Sequence, residues 1–93
     1  MTKVIMTINK SGDIMYDCMN HADNNDACII MSTLTNVLVQ ATLMAGKEPT
    51  IYNKGHVRID IFDADYPTLE VFRCVDKVIK QAAKQHPDYI KVY

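Results

Sequence analysis

His21 and Cys28 are the residues of this chain whose types and spacing could do chemistry. Six residues lie between them, in Asn20-His21-Ala22-Asp23-Asn24-Asn25-Asp26-Ala27-Cys28, and a long helical pattern follows. A helix N-terminus carries partial positive charge and N–H groups without intrahelical acceptors, so it favours a thiolate placed there. A nearby imidazole can take the thiol proton, and together the two groups make a nucleophile for acyl transfer. A connection of this length can bring its ends into contact. Its polar composition suits a surface loop that moves when a substrate arrives.

Each of these residues also has a plainer reading. A free cysteine in an apolar helix is usually a small core residue, although Cys28 stands in the first turn, beside a loop that begins with a histidine. His21 taken alone is a solvent-exposed strand-end residue. Asp26 fits the N-cap of the helix, its plainer role, and is placed to orient the site or to do both. Ser32, Asn36 and Gln40 continue from Cys28 at four-residue steps, a line that either supports a thiolate or is simply solvated. Cys18 and Cys74 sit in core-like patterns and read as packing residues, while His56 and His86 read as surface residues. Cys18 and His21 have the Cys-x-x-His spacing of some zinc sites. They are an odd number of positions apart on a predicted strand, however, and so point to opposite faces; no metal and no cofactor is expected. The loop Asp23-Asn24-Asn25-Asp26 lacks the glycine and the distal glutamate of an EF-hand calcium loop.

Ninety-three residues, 48% of them hydrophobic, predict a single domain over 1–93 with a modest core. Three widely spaced cysteines without a CxxC pair make neither a disulfide framework nor a zinc knuckle. A net charge of −1 without a basic run argues against nucleic acid as a partner. No apolar run approaches the roughly 18–20 residues of a membrane span and no signal peptide is visible, so no membrane association and a cytoplasmic location are expected.

Two hairpins and two helices must position the candidate pair. Lys3 to Asn9 alternates as a strand with Val4, Met6 and Ile8 on one face, and Ile14 to Asn20 alternates again after a turn at Gly12. From Ala27 to Ala45 the period becomes helical, with Ile30, Leu34, Val37, Ala41 and Met44 as one apolar stripe and Gly46 at C′. Further apolar residues leave only a narrow polar line, so burial on most sides is predicted, by the sheet and by a second subunit. Thr50-Ile51-Tyr52, a turn at Asn53-Lys54-Gly55 and Val57 to Phe62 read as a second hairpin. Pro67 opens a second helix with the core stripe Phe72, Val75, Ile79 and Ala82. Tyr89 to Tyr93 is a short terminal strand. The order β-β-α-β-β-α-β predicts an α+β fold, two helices packed on one face of a mostly antiparallel sheet.

At these residues the chain resembles the ribosomal-processing cysteine protease family, Prp (the YsxB-like proteins). That family carries Gly-His-Ala, a flexible loop, Asp-hydrophobic-Val-Cys, two small residues, Val and Ser at the start of a long helix. The matching residues here are His21, Ala22, Asp26, Cys28 and Ser32, and the ending His86-Pro87-Asp88-Tyr89-Ile90-Lys91 is similar too. The resemblance implies a homodimeric cysteine endopeptidase of the bacterial cytoplasm, or of the host cytoplasm for a phage-encoded member. Its catalytic dyad would be Cys28 and His21, supported by Asp26, Ser32 and Ala22. Its partner would be a protein substrate, a ribosomal protein or a phage capsid or scaffold protein, from which a short N-terminal extension is removed. The alternative is a catalytically inactive module that keeps the fold and uses its groove for peptide binding or assembly. Asn20 stands where the family has glycine, the His21–Cys28 loop is shorter, and Asp26 is one position closer to the cysteine. Ile29 and Ile30 replace small residues, which would narrow the pocket beside the thiol.

Overall fold

The computed structural model describes residues 1–93. Strands β1 (Thr2–Ile8), β2 (Ile14–Met19), β3 (Ile51–Asn53), β4 (His56–Ile61) and β5 (Ile90–Val92) form one sheet in the order β3-β4-β2-β1-β5. Every neighbouring pair is antiparallel except β1 and β5, which run parallel. Helices α1 (Asn25–Met44) and α2 (Tyr66–Gln85) cover one face, as the alternation and the element order predict. On that face Val4, Ile14, Tyr16, Ile59, Ile61 and Ile90 meet Met31, Leu38, Phe72, Val75 and Ile79 in one core. Burying a side chain of this size contributes about 1.5–3 kcal/mol.

Helix α1 starts and faces differently from expectation. Its N-cap is Asn24, not Asp26: Asn24 has extended backbone angles and its Oδ1 accepts from the Ala27 N–H at 3.1 Å. Four adjacent residues here are all competent caps, and only the register with which the helix docks selects one. Asp26 falls in the first turn instead, where its charge complements the helix dipole. At the other end Gly46, at φ 78°, takes the C′ position as expected. The Lys47 N–H then reaches the Thr42 carbonyl and the Gly46 N–H that of Leu43.

The predicted stripe of α1 is also displaced. The buried residues are Ala27, Met31, Leu38, Val39 and Thr42, whereas Val37 is 42% and Met44 88% exposed. Thr42 tolerates full burial because its hydroxyl donates to the Leu38 carbonyl at 2.7 Å. A helix apolar nearly all round carries no periodic signal strong enough to mark its inner side. Burial on most sides does not occur within one chain, and Ile29, Val37, Leu43 and Met44 stay exposed on the outer side of α1, interspersed with exposed Thr33, Asn36 and Gln40. Contrary to the reading of apolar runs, α1 is long and apolar enough to cross a membrane by length and composition. In this fold it lies along the sheet.

Helix α2 follows its sequence closely. Asp65 caps it through the Thr68 N–H at 2.9 Å, Pro67 sits in the first turn, and Phe72, Val75, Ile79 and Ala82 are buried. Cys74 is exposed, not a packing residue. At 100° per residue it lies about 120° around the helix from the middle of the buried stripe.

Candidate active site

The path of the chain after β2 is fixed by Asn20. This residue has φ 69°, a left-handed conformation that asparagine tolerates better than most side chains. Its N–H donates to the Gly55 carbonyl at 2.8 Å, and its own carbonyl accepts from Thr2 Oγ1 at 3.2 Å. The next residue, His21, therefore leaves the sheet beside the β3–β4 turn. His21 Nε2 stands 3.7 Å from the place a Cβ would occupy on Gly55, whose φ is 91°. Ala22 is buried beneath the loop, and Cys28, half-buried, closes the first turn of α1.

A cavity of about 230 Å³ opens between α1 and the β3–β4 hairpin, and His21, Ala22, Cys28 and Ser32 all line it. Asn36 continues the same helical face into its wall, and Tyr52, Lys54 and Gly55 form the opposite side. Of the candidate dyad and its supporting residues, Asp26 alone is left outside, exposed on the first turn. Ile29 and Ile30 do not line the cavity either, so they do not narrow it. Ile29 is 60% exposed, and Ile30 packs against the core.

Two residues read from sequence as bystanders border the same cavity. Cys18 lines it together with His21. The odd spacing that seemed to separate them loses its force because β2 ends at Met19 and the left-handed Asn20 breaks the alternation. Burial pushes the Cys18 thiol up, partly offset by hydrogen bonds with Tyr16 and Thr35. The Tyr16 hydroxyl, also pushed up by burial, lies 2.7 Å from Thr35 Oγ1. His56, expected at the surface, is half-buried, and its Nε2 donates to Asp17 Oδ1 at 2.8 Å. Arg58 holds the other Asp17 oxygen at 3.2 Å and grips Asp60 through two nitrogens. Val57, Ile59 and Ile61 point towards the helices, so alternation puts these charged side chains on the opposite face. The His56 ring is thereby engaged away from Cys28, which leaves His21 as the imidazole on the thiol's side of the sheet.

The first turn of α1 has few donors to spare. The Cys28 N–H donates to the Asn24 carbonyl at 2.9 Å and the Ala27 N–H to the Asn24 side chain. The N–H groups of Asn25 and Asp26 remain, since they have no acceptor within the helix.

No family model matches the sequence, and no curated protein matches it either. The fold does match solved structures. The essential ribosomal processing protease Prp from S. aureus, in complex with a covalently linked product peptide, superposes with a TM-score of 0.81 at 17% identity, over 99% of this chain and 97% of that one. The chain has the Prp fold. The same protease in complex with a substrate peptide gives 0.67 at 17% identity, over 100% and 98% of the two chains. SMU.848 from Streptococcus mutans gives 0.77 at 20% identity, over 99% and 91%. Asn20, which stands where the family motif has glycine, holds a left-handed backbone angle, one that glycine adopts freely and asparagine tolerates. The sequence pointed to Asn20 only as a departure and to Gly55 only as a turn residue, and Thr2 carried no signal before its contact with this loop was known.

Proposed function

We propose that this chain is a cysteine endopeptidase with Cys28 as nucleophile and His21 as general base. The reading is carried by one observation: on a Prp fold, His21 and Cys28 line a single cavity. His21 takes the thiol proton, and sulfur attacks the scissile carbonyl carbon. His21 returns the proton to the departing amine as the C–N bond breaks, and water then cleaves the thioester to restore the thiol. The positive end of the α1 dipole, at whose first turn Cys28 stands, favours both the thiolate and the negative charge that develops on the carbonyl oxygen. Ser32 and Ala22 shape the cavity wall, and Asp26 acts through the helix dipole.

The substrate is the extended N-terminal segment of a larger protein, a ribosomal protein or a phage capsid or scaffold protein, met in the cytoplasm. The enzyme works as a homodimer, paired through the exposed apolar side chains of α1. Incubating the protein with N-terminally extended candidates, and weighing the products by mass spectrometry, tests the activity. A fragment lost with wild type and retained with Cys28→Ala is the expected result; no cleavage of any candidate by wild type overturns it.

A second reading, a peptide-holding module without catalysis, is favoured by one feature: no hydrogen bond orients the His21 ring. Alkylation by iodoacetamide separates the two. Cys74 is exposed and would react as well, so the measurement belongs in a Cys74→Ser background. A protease shows one fast phase that Cys28→Ala abolishes and His21→Ala slows; a holding module shows neither dependence on His21 nor turnover.

A further inference from the structure

Strand β3 is an edge strand, with β4 as its only neighbour, and it forms the rim of the cavity that holds Cys28. Its turn is two residues long, so Asn53 and His56 flank it as partners, and Tyr52 is opposite Val57. In a hairpin of this kind the flanking pair exchanges both hydrogen bonds with each other, and the next pair exchanges none. Both main-chain polar groups of Tyr52 therefore point away from β4, out of the open edge. The ring of Tyr52 is 65% exposed and lines the cavity. Beyond Tyr52 the strand runs into the turn at Gly55, against which His21 lies.

An open edge with one paired donor and acceptor, ending beside the candidate dyad, is suited to an extended peptide. We infer that the substrate adds a short strand to β3, one of its residues exchanging two main-chain hydrogen bonds with Tyr52. The continuation of that peptide past the turn then enters the cavity within a few residues. Successive side chains of an added strand alternate between the two faces of the sheet, at about 3.3 Å per residue. The pairing therefore sets the register in which substrate side chains enter the cavity or face solvent. Tyr52 is in this sense a positioning residue, acting through its backbone. The inference rests on the proteolytic reading above.

The test has a peptide arm and a protein arm. A pool of synthetic ten-residue peptides is offered to wild-type protein, one cleaved member is identified by mass, and it is resynthesised with a single N-methyl group at each position in turn. An N-methyl group removes one main-chain donor and leaves the side chain. We expect one position to raise KM at least tenfold with kcat within about twofold, while its immediate neighbours change KM by less than threefold. In the protein, Tyr52→Pro deletes the outward N–H without touching the ladder to β4, a substitution that edge strands accommodate. It should raise KM at least fivefold more than Tyr52→Thr, which keeps the N–H, and leave the iodoacetamide rate of Cys28 as in wild type. Cleavage indifferent to N-methylation, with Pro and Thr variants alike, overturns the edge pairing and leaves the protease standing. A wild type that cleaves no member of the pool overturns both. If the Pro variant melts early, the N-methyl series decides alone.

Discussion

A Cβ added to Gly55 would find ordinary van der Waals room, 3.7 Å from His21 Nε2, so space is not what demands glycine there. The demand comes from φ 91°, which L side chains rarely adopt. Because the Gly55 carbonyl also receives the Asn20 N–H, a strained turn would shift the anchor of the histidine loop. Gly55→Ala is expected to cost about 1–2 kcal/mol in thermal or denaturant unfolding, the scale of one strained residue. It should also lower kcat/KM while cysteine reactivity in the unfolded protein stays unchanged. His21→Ala should lower kcat by roughly 10²–10⁴-fold, the usual worth of general acid–base catalysis. Cys28→Ala should leave no turnover at all. A His21→Ala variant with full activity would move the base elsewhere in the cavity.

The two helices illustrate how an element's composition governs what its pattern reveals. Helix α2 alternates charged and apolar residues cleanly, and its core stripe could be read from spacing alone. Helix α1 has too little contrast for that, and its docked face turned out to be one residue around from the expected stripe. Its cap was ambiguous for a related reason, since Asp23, Asn24, Asn25 and Asp26 are chemically equivalent candidates. The cap of α2 makes a testable contribution to acid stability. The hydrogen bonds from Thr68 hold the Asp65 carboxyl below its usual range, with a smaller effect from Lys47. A carboxylate lowered in the folded state stabilises the fold above its ordinary pKa, and that contribution is lost as pH falls through the folded value. The melting temperature should therefore fall between about pH 5 and pH 3, and Asp65→Asn, which still caps, should lose less over that range. Asp13 and Asp60 are lowered too, by the Asp63 N–H and by Arg58 respectively, so the variant flattens the profile only in part.

At the scale of the whole molecule, the unanswered surface is the outer side of α1. From Ile29 to Met44 the exposed apolar side chains span about 22 Å of helix, at 1.5 Å per residue, with Thr33, Asn36 and Gln40 between them. Exposed apolar patches of that extent mark interaction sites in soluble proteins, and a stable dimer buries about 1,200–2,000 Å² in total. Light scattering at micromolar concentration is expected to give twice the chain mass. Val37→Glu combined with Met44→Glu should reduce it to one chain mass with far-ultraviolet circular dichroism intact. A wild-type protein that scatters as a monomer would remove the dimer and leave these side chains unexplained.

Local chemistry was already written in the chain. Alternation dictated the strands, glycines at 12, 46 and 55 set the turns and the end of α1, and the Pro67 helix declared its inner side. The order of elements then sufficed for the α+β architecture. The tertiary structure decided what no window of sequence contains: that Asn20 is clamped between Thr2 and Gly55, that Cys18 borders the same cavity as His21, and that His56 turns its ring to Asp17 on the far face. These arrangements depend on contacts between residues distant in the chain, formed only when the sheet closes. Periodicity reports a residue's relation to its own element, whereas a site is made by the way separate elements meet.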